Sequence, residues 1–443
     1  MTVAAAGRIA RPHLEVRGRR WPEDRTDAWF TFVLFAASLF ALQLSGLVFV
    51  YAAAVAIFMA LRLRAALPAL VRCAPIFILP AYALASTLWS VAPPTTFYYG
   101  SEYVLTVIAA ILVGGATGSH AALKGMFAGF ALWAATNFVA GVLSGEFGSG
   151  SPFLGLAGSK NGAGDAATLG LIIAVAMAAE AWRRKWAGWI IAAVALVVVE
   201  TVILAAAQST GAVIAAGVGV LAVLGWTVSR ILPVPARSLI LVTTILVAVV
   251  GIATEHLWSD KLFEGMLSMS GKDTTLTGRT YIWSRAQVLI AQRPWLGLGY
   301  GAFWRVGALE PEAIWRKLLI TNPSGFHFHN SAYDIMVTLG SVGLALFALV
   351  FVVFSAMLLL RTMRYAETEG ILFASLLVSY LSRAPFEAFG GGIFSQSTLL
   401  LFGALAWAVR PRPQVVPQRH DRGAPAPTSR GPRDYFKDRP ARL

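Results

Sequence analysis

Residues 331–360 read SAYDIMVTLGSVGLALFALVFVVFSAMLLL, thirty positions of which only Asp334 is charged. A bilayer core of ~30 Å is crossed by about 17–25 apolar residues in a helix, so this stretch is long enough to span a membrane. Eleven further stretches share its character: 29–44, 47–61, 73–90, 101–117, 121–143, 165–181, 187–207, 211–229, 238–254, 370–383 and 391–409. The composition agrees with them. Of 443 residues 57% are hydrophobic and 13% are charged, against about 45–50% and about 25% in an ordinary soluble domain. So few charges cannot cover a water-soluble globule of this length, which excludes a soluble enzyme. The predicted fold class is an all-α integral membrane protein, a polytopic bundle of about 12 transmembrane helices.

The 36 Lys+Arg outnumber the 22 Asp+Glu, for a formal charge of +14. Their placement reads as membrane topology rather than nucleic-acid binding. Arg8, Arg11, Arg17, Arg19, Arg20 and Arg25 precede the first span, and Arg62, Arg64 and Arg72 follow the second. Two basic flanks call for a turn near Gln43–Gly46, giving two spans instead of one tilted helix over 30–61. Along the short loops, eleven Lys and Arg then fall on the cytoplasmic side (Arg62, Arg64, Arg72, Lys124, Arg183, Arg184, Lys185, Arg230, Arg237, Arg361, Arg364) against two outside, Lys160 and Arg383. Both termini are expected in the cytoplasm, and no removable signal peptide is read. Residues 1–28 form a basic tail, 29–254 carry spans one to nine, 255–330 form one large outward loop, and 331–409 carry spans ten to twelve. Residues 410–443, rich in Pro and Arg, are expected to be a disordered cytoplasmic tail, solvated or held by anionic headgroups. The single Cys73 allows neither an intrachain disulfide nor a cysteine metal cluster.

The long loop holds eight of the ten outward basic residues. Two short helices are expected in it, over Thr280–Arg293 and Pro311–Ile320. The second would lie in the membrane interface with Ile314, Trp315, Leu318 and Leu319 against lipid, or act as a packing lid. Arg279, after Thr277-Gly278, would stand at the start of the first helix, where a guanidinium beside free N–H groups suits phosphate. Arg285 lies about 120° further round, so the two converge only on a ligand beyond the helix end. Phe326-His327-Phe328-His329-Asn330 leads directly into the 331–360 span, and Ser331 with Asp334 resembles a capping box. His329 is the preferred proton acceptor, given an unperturbed pKa of ~6.5, with His327, Asn330 and Glu387 as secondary candidates. His-x-His also suits zinc, but no further His or Cys follows at ligand spacing, so no metal and no cofactor are expected. Gly297-Leu-Gly299-Tyr-Gly301 lacks the spacing of a nucleotide loop and reads as a turn that lets backbone approach closely. Lys160 and Arg383 would neutralise a phosphate or pair with a carboxylate such as Glu387. Glu200, deep in span seven, should face a cavity or a partner.

Four of these stretches together resemble the O-antigen ligase and polymerase superfamily of bacterial envelope glycosyltransferases, especially its exopolysaccharide-polymerase branch. They are Ala85-Ser-Thr-Leu-Trp89-Ser90 with Pro93-Pro94, then Lys160-Asn161, then Thr277-Gly278-Arg279-Thr-Tyr-Ile-Trp283 with Pro294-Trp-Leu-Gly297-Leu-Gly299-Tyr-Gly301, and last His329-Asn330 with Leu339-Gly340-Ser-Val-Gly343-Leu344. In order and spacing the resemblance covers roughly residues 28–410. It implies saccharide transfer from a polyprenyl-diphosphate-linked oligosaccharide on the periplasmic face of the bacterial inner membrane, without a metal. The acceptor would be a growing glycan or lipid A core, and other polysaccharide assembly proteins would be partners. The family's diphosphate arginine and loop histidine carry over to Arg279 and His329. Arg285, Lys160 and Arg383 join them as diphosphate candidates on charge and location. Polymerase, O-antigen ligase, and a flippase or anion transporter stand as the three readings.

Overall fold

The computed structural model describes residues 21–253, 274–320, 323 and 325–411. The basic residues Arg8 to Arg20, the stretch 254–273 of the long loop and nearly all of the C-terminal tail lie outside them. Among the described residues there are fourteen α-helices and no β-strand. In chain order they are α1 (Trp21–Leu39), α2 (Leu47–Arg72), α3 (Ile78–Ala85), α4 (Pro93–Gly115), α5 (Ser119–Ser144), α6 (Lys160–Arg184) and α7 (Ala187–Ala206). There follow α8 (Thr210–Ser229), α9 (Val234–Ala253), α10 (Thr274–Gln292), α11 (Leu309–Lys317), α12 (Ser331–Tyr365), α13 (Thr368–Arg383) and α14 (Gln396–Ala408).

Seven of them, α2, α4, α5, α6, α7, α8 and α12, are long and apolar enough to cross a membrane. The other five expected spans fall on α1, α3, α9, α13 and α14. A break at 40–46 separates α1 from α2, where the basic flanks call for one. The helix read as 47–61 does not stop before Arg62, however, but kinks there and runs on to Arg72. Arg62 escapes the penalty of an unpaired charge because its guanidinium grips the buried Asp27 of α1 at 3.0 and 3.3 Å.

Helix pairs α1–α5, α6–α7, α4–α14 and α8–α13 make the main packing contacts. Gly114 of α4 meets Gly403 of α14 so closely that a Cβ on Gly114 would overlap the Gly403 carbonyl. Small residues of this kind let helix backbones approach where no water drives them together. Glu200 of α7 is fully buried against Gly170 of α6, with neither carboxyl oxygen hydrogen-bonded among the described residues.

Several of the basic residues read as cytoplasmic gather at one end of the bundle. Glu180 accepts from Arg183, Arg184 and Thr368. Arg230 donates to Thr368 and the Ala366 carbonyl, and Arg361 to the carbonyls of Trp407 and Arg410. The opposite end carries α10, α11 and the N-terminus of α12. There α10 and α11 form a second, smaller core of Ile282, Ala286, Leu289, Phe303, Ile314 and Phe328. That core fits the packing alternative for α11 at Ile314 and Trp315, which are buried in protein rather than set against lipid, while Leu319 is exposed.

A break inside α12 locks this loop onto the bundle. Gly340 adopts φ 69°, ψ −172°, a conformation open essentially to glycine alone. The interrupted helix bonds are replaced from the turn at 294–299. Leu298 and Gly299 donate to the carbonyls of Val337 and Thr338 at 2.9 and 2.8 Å, while Ser341 donates to Pro294 at 2.9 Å. Backbone polar groups at membrane depth need such partners. Gly297 sits so near the break that a Cβ there would stand 2.6 Å from the Gly340 nitrogen.

Candidate active site

The turn that docks on Gly340 is itself held by the Ala85–Ser90 stretch. Ser86 accepts from the Tyr300 N–H at 3.0 Å, Val91 donates to Leu298 at 2.9 Å, and the Trp89 indole donates to Leu296 at 2.9 Å. The close backbone approach read from Gly297-Leu-Gly299-Tyr-Gly301 is therefore made to protein. Tyr300 then reaches onward, its hydroxyl donating to the Gly391 carbonyl at 2.6 Å, and Tyr103 of α4 does the same for Gly390 at 2.7 Å. These bonds fix the turn that follows α13, which carries Glu387.

The histidine segment is pinned from below. Phe328 is fully buried, its carbonyl accepting from the Trp283 indole at 2.8 Å and its N–H donating to Asp334 at 3.0 Å. Alternation along the segment leaves His327 and His329 together, ring centres 4.3 Å apart. His329 has φ +51°, uncommon for a residue other than glycine and often a mark of function. The cap of α12 is Asn330, whose side chain accepts from the N–H groups of Ala332 and Tyr333. The capping box read from Ser331 and Asp334 is thus replaced: Asp334 reaches back to Phe328, and Ser331 donates to the Glu387 carbonyl at 3.1 Å. Asn330 also donates to the Pro385 carbonyl, tying the two turns together.

Glu387 stands at the centre of the cluster. Its Oε2 lies 3.2 Å from His329 Nδ1 and 3.7 Å from His327 Nε2, and its Oε1 accepts from Arg279 at 3.1 Å. All four side chains are between about a fifth and a third exposed, so the site is open at one side. Burial alone would raise the Glu387 carboxyl, but the His329 hydrogen bond and the charges of His329, His327 and Arg279 hold it down at about 2. Burial, with the neighbouring His329 charge, pushes His327 down to about 4, so it is neutral at physiological pH.

These three acid and imidazole ligand atoms lie within 4.8 Å of one another, close enough to raise the question of a metal. The hydrogen bonds argue against it. His327 Nδ1 accepts from the His329 N–H at 3.0 Å, so the neutral ring keeps its hydrogen on Nε2, the atom that would have to bind the ion. His329 Nδ1 faces Glu387, and the tautomer that donates there leaves Nε2 with a free lone pair.

The other predicted residues are arranged differently. Helix α10 begins at Thr274, so Arg279 lies in its second turn and not among the free N–H groups of a helix start. Arg285 turns away to Glu310 of α11 at 3.1 Å, in a pair more than a third exposed. Arg383 is 7% exposed and paired with Asp165 of α6, not with Glu387. Lys160 opens α6, and its neighbour Asn161 accepts from Ser209 at 3.1 Å. Asp165 escaped the sequence reading, although an acid in the first turns of a span at the same end as Arg383 is a usable signal.

An all-helical, multi-pass membrane protein with a histidine–carboxylate–arginine cluster at one end of its bundle is the class that fold and site define. Residues 199–348 match the family described as O-Antigen ligase, a stretch that holds Arg279, Arg285, His327, His329 and Asn330. The exopolysaccharide production protein ExoQ of Rhizobium meliloti (strain 1021) is 28% identical over 283 residues, 62% of this chain and 63% of the relative. The chain thus matches less than two thirds of that relative's length. Both matches support the O-antigen ligase/polymerase-like superfamily for this protein.

Proposed function

We propose that this protein is an inner-membrane glycosyltransferase that polymerises saccharide repeat units from a polyprenyl-diphosphate-linked donor. The observation that carries this reading is the shared carboxylate of Glu387, which holds His329 as a base and Arg279 as a cation in one cluster. In the reaction an acceptor hydroxyl attacks the anomeric carbon of the donor and passes its proton to His329 Nε2. The bond from that carbon to the diphosphate oxygen breaks, and the diphosphate leaves as an anion. Inversion follows from a single displacement. Arg279 stabilises the charge that grows on the leaving group. A well-placed base of this kind contributes roughly 10²–10⁴-fold.

The chain would cross the membrane twelve times, with the basic end and both termini cytoplasmic and the cluster periplasmic. Lys160 at the head of α6 joins Arg279 as a diphosphate contact in this scheme. Arg285 serves only where donor binding draws it from Glu310, and Arg383 acts from behind the cluster. The name of the relative favours an exopolysaccharide product, whereas the family description favours transfer to lipid A core.

The test is purified protein given polyprenyl-diphosphate oligosaccharide, with and without a lipid A-core acceptor. Products lengthened on the carrier support the polymerase. Product on lipid A means a ligase, and vesicle uptake without either product means a transporter.

A further inference from the structure

Arg383 ends α13, and its carbonyl accepts from the Glu387 N–H at 2.9 Å, so the two side chains stand one helical turn apart. A guanidinium is a stronger partner for a carboxylate than the single N–H of a neutral imidazole. Arg383 is buried, and a buried guanidinium must find an anion. The charges of both Asp165 and Glu387 act on Arg383. The one it holds is Asp165, whose second oxygen accepts from Ser397 at the start of α14 at 3.3 Å. The Tyr380 ring, 6.0 Å from the guanidinium carbon, lies alongside. Three helices therefore meet on Asp165, directly behind the turn that presents Glu387.

We infer that Asp165 is a positioning residue which, by holding Arg383 against α6, keeps that guanidinium off Glu387 and leaves the carboxylate to His329 and Arg279. Without the Asp165 charge, Arg383 swings to Glu387 and displaces the imidazole. The inference rests on His329 acting as the base, but it can be tested without turnover.

The charged and titratable groups around His329 are Glu387, His327, Arg279 and Asp334. The full-length protein in detergent is treated with diethyl pyrocarbonate across pH, and modification of His329 is followed by mass spectrometry of its peptide. Wild type, D165N, R383Q and the D165N/R383Q double variant are compared. In D165N the midpoint for His329 falls by about one pH unit or more, because a carboxylate neighbour is lost to an arginine. In the double variant, which has no competing guanidinium, it returns to the wild-type value, and in R383Q it does not fall. A merely structural ion pair moves none of these midpoints. An unshifted D165N, a double variant as low as D165N, or a lowered R383Q overturns the inference. A wild-type protein that transfers no glycan would defeat the functional reading alone, since these midpoints are measured without substrate.

Discussion

Glu387 and His329, 58 positions apart in the chain, meet at 3.2 Å from Oε2 to Nδ1, while the other oxygen of the same carboxylate accepts from Arg279. One acid thereby orients the group proposed to take the proton and the group proposed to face the leaving diphosphate. Glu387→Gln keeps the shape and removes the charge. Turnover is expected to fall about 10–100-fold, less than the ~10²–10⁴-fold for loss of the base itself. An unchanged kcat in a carrier-extension assay contradicts this coupling.

Acid should weaken the fold in two overlapping windows. His327 is lowered from 6.5 to about 4, so its contribution is present above pH 6.5 and is lost as pH falls through 4. Glu387 is lowered from 4.5 to about 2, so its contribution is present above pH 4.5 and is lost toward pH 2. In each case the unfolded chain binds the proton more readily, which makes stability rise with pH. The upper bound is on the order of 3 kcal/mol for each group. Against wild type, His327→Asn should flatten the thermal-midpoint profile in detergent between pH 6.5 and 4, and Glu387→Gln between pH 4.5 and 2. Variant profiles that parallel the wild type through these windows contradict both assignments.

Gly340→Ala places a methyl against the Trp295 carbonyl at a backbone angle that alanine avoids. A loss of about 2 kcal/mol or more is expected from strain and overlap together. Because the same break anchors the 294–301 turn, and through Tyr300 the Glu387 turn, transfer activity should fall with stability. A thermal midpoint equal to wild type would show that the break tolerates a side chain.

Arg279 and Arg285 separate cleanly by mutation. Arg285→Ala removes an exposed pair worth about 0.2–1 kcal/mol, and donor turnover should change little. Arg279→Ala removes charge at the leaving group and should reduce turnover about 10²–10³-fold. Equal losses from the two variants, measured side by side, would mean that Arg285 leaves Glu310 to join the donor.

Much of this arrangement is legible in the sequence, for identifiable reasons. Apolar runs mark helices directly, and basic flanks separate α1 from α2 at a break no hydropathy minimum makes obvious. Arg279 and His329 stand in local patterns that can be read where they occur. Pairing across the chain has no such local signature. Glu387 is taken by Arg279 and His329 rather than by Arg383, because Asp165 lies closer to Arg383 in space though more than two hundred positions away in sequence. Helix starts mislead similarly: Thr277-Gly278 looks like a cap, yet α10 runs through it from Thr274. Ile314 and Trp315 give α11 an apolar face, but sequence alone does not say whether lipid or the small core of α10 covers it.

His329 is proposed to accept the acceptor's proton during glycan transfer from a diphosphate carrier. The most direct measurement gives purified wild-type and His329→Ala protein the same polyprenyl-diphosphate oligosaccharide and follows carrier-linked product length. Wild type should lengthen the glycan, and His329→Ala, at equal protein level and equal thermal midpoint, should lose roughly 10²-fold or more of that rate. Polymer made by His329→Ala at the wild-type rate would contradict the claim outright.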